Sequence, residues 1–193
     1  MPKVHQLPPF ASTHKASALQ VAQRHMAVVN LRGNSQDPAF LQAVQQALGL
    51  ALPVQACSTV AHDSVRLVWV GPDDWFVIGQ PGHQTALVAA LRLALGEQHA
   101  AVTDVSSGYF VVSLAGPSAR ELLGQGCPMD FHLSVFHANQ AASTHFHKVG
   151  ITLWRTGNAG DFELLVRRSF IDHFWQLAVA GSHELGITAA VAA

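Results

Sequence analysis

Short apolar runs, separated by glycine, proline and polar clusters, dominate the pattern along this chain. Runs that are continuous or alternate with polar residues, and that are rich in β-branched and aromatic residues, predict strands. They occupy residues 25–33, 66–71 and 75–79, two segments within 100–116, then 143–155 and 161–167, with a weaker extended patch at 131–136. Turn-forming clusters at residues 71–74, 106–108 and 157–160 separate successive strands.

Helices are predicted where apolar residues recur every three or four positions between a start and a stop signal. Asp37 followed by Pro38 is a typical start for the first helix, and Gly49 is placed to end it. The other three helices are predicted to end at Gly96, at Gly124 or Gly126, and at Gly181, the last one spanning Phe170–Ala180 after a capping-box-like pair, Ser169 and Asp172.

The order strand–helix–strand–strand occurs about twice, with about eight or nine strands in all. This order predicts an α+β fold in which mixed, mostly antiparallel sheets carry helices packed on their faces. Residues 1–24 lack periodicity and are predicted to form an N-terminal arm. Residues 25–188 are predicted to form a single domain with two similar halves, about 25–96 and 97–188, and residues 189–193 form a tail.

Composition adds an unusual feature, because only 12% of the residues are charged while 49% are hydrophobic. Soluble domains average about 25% charged residues. No apolar run approaches the roughly 18–20 residues of a membrane span, so no membrane partner is expected. We interpret the shortage of charge as a surface that partner chains cover, because obligate interfaces resemble cores. The alternative is a monomer made soluble by neutral polar groups.

Net charge and cysteine content narrow the class of protein further. The net charge of −1 gives no electrostatic basis for binding nucleic acid. Cys57 and Cys127 are 70 residues apart and form no CxxC motif, which excludes a disulfide scaffold or a zinc ribbon and fits a reducing compartment. The N-terminal residues lack the continuous apolar block of a secretory signal, so a cytoplasmic location is expected.

Histidine is abundant, at 12 of 193 residues, and His145 and His147 suggest a metal site. If residues 143–155 form one strand, both imidazoles lie on the same face as Val149 and Ile151. Zinc sites need three or four converging ligands, and no further histidine is reliably placed beside this pair. We therefore predict that the two histidines extend an apolar contact surface and that the chain holds no metal.

Other candidate chemistry has ordinary structural explanations. The adjacent Asp73 and Asp74 are expected to occupy a turn, and Asp104 to cap one. Cys127 is more easily explained as an inert buried thiol than as a nucleophile. Arg168 fits either a solvated strand edge or a guanidinium that forms hydrogen bonds across an interface. The interface candidates are His145, His147, Arg168 and Trp175.

Three segments carry a resemblance to known proteins. TDVSSGYFVVSLAGPSARELLGQGCPMDF, residues 103–131, resembles the central pattern of folate-binding aminomethyltransferase-type domains. Together with GPDDWFVIG at 71–79 and FELLVRRSFIDHFWQLAVAG at 162–181, it is more closely similar to the gamma subunits of heterotetrameric sarcosine oxidase. The resemblance covers roughly residues 20–188 and implies the aminomethyltransferase-like fold.

The resemblance implies a function as well. Complexes of this family contain alpha, beta, gamma and delta chains, and they oxidise sarcosine to glycine with formation of hydrogen peroxide and methylene-tetrahydrofolate. FAD, FMN, NAD, tetrahydrofolate and zinc are implied for the partner chains, and no catalytic, cofactor-binding or metal residue is implied for the gamma chain. Asp104, Gly116, Pro117 and Arg168 match the family pattern as fold and interface positions.

Two other functions are compatible with parts of the sequence. One is a freestanding folate-dependent aminomethyl or methyl transferase, which would need a well-placed carboxylate and a folate cavity. The other is a small histidine-rich protein that binds metal. Both differ from the subunit hypothesis in being able to act without partner chains.

Overall fold

A computed structural model describes residues 19–156, 160–186 and 189–191. The described strands are β1 (Leu19–Arg24), β2 (Ala27–Arg32), β3 (Thr59–His62), β4 (Val65–Gly71), β5 (Asp74–Gly79), β6 (Ala101–Asp104), β7 (Tyr109–Ala115), β8 (Ala141–Phe146), β9 (Val149–Thr156), β10 (Asp161–Arg167) and β11 (Ala189–Val191). The α-helices are α1 (Pro38–Leu48), α2 (Gln84–Leu95), α3 (Ala119–Gly126) and α4 (Ile171–Glu184). Short 3-10 turns at Ser106–Gly108 and Arg168–Phe170 precede β7 and α4.

The start and the end of α1 follow from the signals in its sequence. The Asp37 carboxylate accepts a hydrogen bond from the Ala39 amide at 2.9 Å, so a backbone donor of the first turn is satisfied. Gly49 adopts a left-handed conformation with φ of 67° and donates its amide to the Gln45 carbonyl at 2.8 Å. Side chains other than glycine adopt that conformation at a cost, which is why the helix ends there. The predicted boundaries of this helix are confirmed.

The strands form two sheets, and the predicted α+β fold is confirmed. The six-stranded sheet has the order β11-β1-β7-β10-β9-β8, and the five-stranded sheet has the order β3-β4-β5-β2-β6. Neighbouring strands are antiparallel throughout, except for the parallel pair β1–β11. The sheets are therefore mixed but mostly antiparallel.

The sheets lie face to face, and helices cover their outer faces. On one outer face, Phe40 and Val44 of α1 and Leu91 of α2 pack against Leu31 and Trp75 of the five-stranded sheet. The residues of α3 and α4 bury the outer face of the six-stranded sheet in the same way. The inner faces meet in a separate cluster that includes Val28, Phe76, Val111, Trp154 and Leu165. The molecule thus consists of four layers in the order helices, sheet, sheet, helices.

The predicted arm and tail both contain strands. β1 covers the last six residues of the predicted arm and pairs with β7 in antiparallel register. β11 lies in the predicted tail and pairs with β1. The partners of both strands are distant in sequence, and β11 has only three residues, so the local pattern carried no strong signal for them.

The two predicted halves do not coincide with the two sheets. β1 precedes residue 25, yet it belongs to the six-stranded sheet, which otherwise begins with β7. β6 follows residue 97, yet it pairs with β2 at the edge of the five-stranded sheet. Strand pairing, rather than position in the sequence, decides which sheet each strand joins.

The segment predicted as one strand at 143–155 is a hairpin. β8 and β9 pair in antiparallel register with His145 opposite Gly150, and His147 and Lys148 form the turn between them. His147 has a φ of 51°, a conformation that few residues other than glycine and asparagine adopt, so the sequence lacked the usual turn signal. The prediction that both histidines share one strand face with Val149 is therefore wrong.

Two other local predictions also need correction. Residues 131–136 form a loop rather than a strand, and it is held by the buried rings of Phe131 and Phe136 against Phe162. Helix α4 begins without a side-chain cap and continues through Gly181, because this buried glycine lies at the contact with α3 rather than at a helix end. Three residues of the predicted turn at 157–160 lie outside the described part of the chain.

Gly126 and Gly124 on α3 provide a matched pair for testing this packing. A Cβ atom at Gly126 would lie 2.5 Å from the buried ring of Phe146, whereas a Cβ at Gly124 meets nothing within 4 Å. We expect Gly126→Ala to lower the free energy of unfolding by about 1–3 kcal/mol through overpacking. Gly124→Ala should be neutral or raise it by up to about 1 kcal/mol through the helix propensity of alanine. Urea denaturation measures both, and equal stabilities would contradict the close approach of α3 to β8.

Candidate binding pocket and interface surface

An open pocket of about 500 Å³ lies between the inner faces of the two sheets. The five-stranded sheet contributes Arg66 from β4 and Ile78 from β5, and the six-stranded sheet contributes Val111 from β7 and Glu163 from β10. Met26, in the link between β1 and β2, completes the apolar part of the wall. The pocket therefore depends on both sheets and lies beside their shared apolar cluster.

Glu163 is the centre of a polar network at this pocket. Strand register places it opposite Trp154 of β9, so the two side chains leave the same face of the sheet. One carboxylate oxygen accepts a hydrogen bond from the Arg24 guanidinium, and the other accepts one from the Trp154 indole at 2.9 Å. Arg66 approaches from the opposite sheet, with its Nε 3.9 Å from the same carboxylate. One carboxylate thus faces two guanidinium groups.

Arg66 is the less well paired of the two arginines. Its side chain is 20% exposed, and its Nη1 lies 3.4 Å from the hydroxyl of Thr59, which makes a long hydrogen bond. The guanidinium also lies 5.8 Å from the centre of the Trp154 ring. Burial lowers the pKa of Arg66 from its ordinary value, and the attraction of Glu163 opposes that change. The pocket wall therefore carries a desolvated, incompletely compensated positive charge.

The predicted interface residues lie at separate places. His145 and His147 are exposed at the end of the β8–β9 hairpin, and Arg168 is exposed after β10. Trp175 is only 3% exposed and donates its indole N–H to the side-chain oxygen of Gln23 at 2.7 Å. Because Trp175 packs inside the chain, its ring has almost no surface left for a partner.

Arg168 is one of five residues at the end of β10 and the start of β7 that we call the arginine–aromatic patch: His25, Tyr109, Arg167, Arg168 and Phe170. Tyr109 packs with the cluster between the sheets, whereas Phe110, beside Arg168, packs with the outer cluster. The guanidinium of Arg168 lies 5.8 Å from the centre of the Phe110 ring, and that of Arg167 lies 5.9 Å from the Tyr109 ring. His25 packs on the same Phe110 ring, with ring centres 4.3 Å apart, and Phe170 is 45% exposed. Within the described ranges, neither arginine has a carboxylate at salt-bridge distance.

The predicted turn aspartates have the expected roles. Asp73 pairs with Arg32 at 2.8 Å, and Asp74 accepts a hydrogen bond from the side chain of Asn30 at 2.6 Å. Asp104 accepts the amide of Ser106 at 2.9 Å, which closes the turn before β7. Each carboxylate therefore has a structural partner, which lies two residues away for Asp104 and on β2, 41 and 44 residues away, for Asp73 and Asp74.

Cys127 and the histidines show no arrangement for covalent or metal chemistry in the part of the chain that the structure describes. Burial raises the pKa of the Cys127 thiol to about 12, so the nucleophilic thiolate is scarce near pH 7. Among the described residues, no group of three or more His, Cys, Asp or Glu side chains is placed to hold a metal ion. The helices of the described ranges are too short or too polar to span a bilayer.

Sequence reasoning missed Glu163, Arg66 and Arg24. These residues come from three strands in two sheets, and their proximity follows from long-range pairing rather than from any motif. One local signal was available: Glu163 interrupts the otherwise apolar core of β10. A lone charge within such a run indicates a paired or functional site, because an unpaired buried charge is costly.

Comparison with known sequences identifies relatives of this chain. A family model described as "Sarcosine oxidase, gamma subunit family" matches residues 32–184. The gamma subunit of sarcosine oxidase from Corynebacterium sp. (strain P-1) is 34% identical over 132 residues, which are 68% of this chain and 64% of that protein. The gamma subunit from Corynebacterium sp. (strain U-96) is 35% identical over 133 residues, 68% of this chain and 63% of that protein. The matched region therefore spans somewhat less than two thirds of these relatives.

Solved structures show the same fold. A chain of the heterotetrameric sarcosine oxidase from Corynebacterium sp. U-96, solved in complex with pyrrole 2-carboxylate, superposes with a TM-score of 0.81 at 27% identity, covering 89% of this chain and 87% of that one. The glycine cleavage system aminomethyltransferase T from Bartonella henselae superposes with a TM-score of 0.68 at 15% identity, covering 91% of this chain and 48% of that one. The second match shows that the fold is of the aminomethyltransferase type.

The Glu163 network makes a stability prediction. Glu163→Gln leaves Arg24 and Arg66 without their shared carboxylate, and we expect the free energy of unfolding to fall by about 1–3 kcal/mol. Asp73→Asn removes the carboxylate of an exposed pair, whose side chains are 52% and 59% exposed, and should cost less than about 1 kcal/mol. Urea denaturation of both variants gives the comparison. Equal losses would mean that Glu163 contributes no more than an ordinary surface ion pair.

Proposed function

The chain belongs to the sarcosine oxidase gamma subunit family, and from this premise we propose that it is the gamma chain of a heterotetrameric sarcosine oxidase. The observation that carries the proposal is the superposition on a chain of such a heterotetramer over most of both chains. The complex would oxidise sarcosine to glycine, with formation of hydrogen peroxide and methylene-tetrahydrofolate. We also propose a cytoplasmic location, where the two free cysteines would remain reduced.

We propose that this chain has a structural role and that the alpha, beta and delta chains carry the chemistry. FAD, FMN, NAD, tetrahydrofolate and zinc would be held by those partners. The structural roles of four potentially reactive side chains support this division of labour: Cys127 is buried, and Asp73, Asp74 and Asp104 stabilise turns. The shortage of charged residues agrees with a surface that is partly covered in the complex.

The alternative of a freestanding folate-dependent aminomethyl transferase has less support. The aminomethyltransferase of Herpetosiphon aurantiacus is 28% identical over 130 residues, compared with 34% and 35% for the gamma subunits. The match to the Bartonella henselae aminomethyltransferase structure, at 15% identity, extends only to the fold.

Co-expression with the alpha, beta and delta chains of the same organism tests the proposed function. We expect one intact complex that contains all four chains, detectable by native mass spectrometry, and sarcosine-dependent peroxide formation by that complex. Omission of this chain should reduce the yield or the stability of the complex. A chain that stays monomeric in the presence of its partners, or that transfers a one-carbon unit to tetrahydrofolate alone, would contradict the proposal.

The arginine–aromatic patch is the best-supported surface for contact with a partner chain. Arginine and aromatic side chains dominate binding energy at interfaces, and the two patch arginines have no carboxylate partner among the described residues. We propose that a partner supplies carboxylates to Arg167 and Arg168. His145 and His147 at the hairpin tip remain exposed candidates for a second contact.

Arg168→Ala should weaken assembly at least about fivefold, because arginine is enriched among interface hot spots and a loss of about 1 kcal/mol corresponds to about that factor. The chain's own thermal stability should change little, since Arg168 is exposed. Arg32→Ala, which removes another exposed arginine, serves as the matched control and should leave assembly unchanged. Trp175→Ala should instead destabilise the chain by about 3–5 kcal/mol, as expected for a buried indole. Titration of the complex by light scattering measures assembly, and thermal denaturation of the chain measures its stability. Normal assembly of Arg168→Ala would exclude Arg168 from the interface.

A further inference from the structure

We propose that the pocket between the two sheets binds a small amphipathic monocarboxylate. Its carboxylate would pair with Arg66, and its apolar part would contact Met26, Ile78 and Val111. This inference does not depend on the proposed function, because every residue involved belongs to this chain.

Arg66 is the only cationic side chain among the residues that line the pocket, and its unused donors favour an anion even though Asp63 and Glu163 also line it. Both oxygens of Glu163 already accept hydrogen bonds, from Arg24 and from Trp154. Arg66 is left with a 3.9 Å approach to that carboxylate and one long hydrogen bond of 3.4 Å to Thr59. A guanidinium has five N–H donors, so most of the hydrogen-bonding capacity of Arg66 is unused by the described residues.

Desolvation makes this unused capacity significant. Arg66 is mostly buried, and burial disfavours its charged form. Asp63 also lines the pocket, but its side chain is 84% exposed and pairs with His62, so water largely screens its charge from Arg66. A carboxylate that entered the pocket would meet a weakly hydrated fork of donors, the geometry that arginine offers to carboxylates.

The size and the walls of the pocket restrict the ligand. A volume of about 500 Å³ lies within the range of about 300–1,000 Å³ that is usual for small-molecule sites. Met26, Ile78 and Val111 supply an apolar wall, while Gln80 adds an amide that can donate or accept a hydrogen bond. A second carboxylate on the ligand would face apolar side chains or Glu163, so a monocarboxylate fits better than a dicarboxylate.

The test uses para-fluorobenzoate as the probe and the neutral para-fluorobenzamide as its isostere. Fluorine NMR titrations are run on the full chain, or on the assembled complex if the chain requires its partners for solubility. We expect saturable binding of the carboxylate and at least about tenfold weaker binding of the amide, because only the carboxylate forms a charge-assisted pair. Equal binding of the two probes, or no binding of the carboxylate at millimolar concentration, would overturn the proposal.

One variant and one measurement on the wild type locate the binding site. Arg66→Gln should weaken the carboxylate probe at least about tenfold and leave the amide probe unchanged. Arg32→Gln makes the same change at an exposed arginine and should bind the probe like the wild type. If Arg66→Gln fails to fold, nuclear Overhauser effects on the wild type decide instead, and we expect contacts from the ring of the bound probe to the side chains of Met26, Ile78 and Val111. Binding that survives Arg66→Gln, or a bound probe without those contacts, would place the probe elsewhere and refute this pocket.

Discussion

Each sheet of this molecule must bury both of its faces, one against helices and one against the other sheet. The central strands therefore carry apolar side chains on both sides: in β5, Trp75 and Val77 face the helices while Phe76 and Ile78 face the second sheet. β10 shows the same property, with Leu164 on the outer face and Leu165 on the inner face. Strands of this kind have little room for charge, so part of the low charged fraction has its origin inside the chain. The proposed partner chains therefore need to explain only the rest of the low charged fraction.

The same constraint explains why the pocket lies where it does. A charged residue on an inner face loses hydration, and it is retained only where pairing compensates for that loss. Glu163 meets this condition through Arg24 and Trp154 within its own sheet and through the looser approach of Arg66 from the other sheet. The apolar cluster between the sheets thus gives way to a polar network at one side, and the pocket opens there. A binding site between the sheets follows from incomplete apolar contact rather than from a motif.

Local signals in the sequence were sufficient for some elements that depend on near neighbours, but not for β3, which pairs with the adjacent β4 and was not predicted. Asp37 and Gly49 define α1 through bonds to residues within one helical turn, and the turn at residues 71–74 was recognised from its own Gly-Pro-Asp-Asp composition. The strands β1 and β11 were missed because their partners are separated from them by about ninety residues or more along the chain, and no local pattern encodes such a pairing. His147 was misassigned for a different reason, since a histidine occupies a turn position that usually shows glycine or asparagine. The pocket could not be predicted, because it combines side chains from both sheets.

The chain passes between the sheets twice at nearly the same place, and this explains the Asp-Val-Ser segment at residues 104–106. His25 and Met26 link β1 in one sheet to β2 in the other, and the segment after Asp104 links β6 back to β7.

Hydrogen bonds join these two crossings directly: Val28 donates its amide to the Ser106 hydroxyl at 2.9 Å, and Val105 donates its amide to the Val28 carbonyl at 2.9 Å. Asp104 in turn holds Ser106 in position. The Asp-Val-Ser sequence therefore joins the two sheets. The arginine–aromatic patch lies around this junction, since His25 belongs to one crossing and Tyr109 follows the other. A partner bound at the patch would contact both crossings, so assembly would stabilise the arrangement of the two sheets on which the pocket depends.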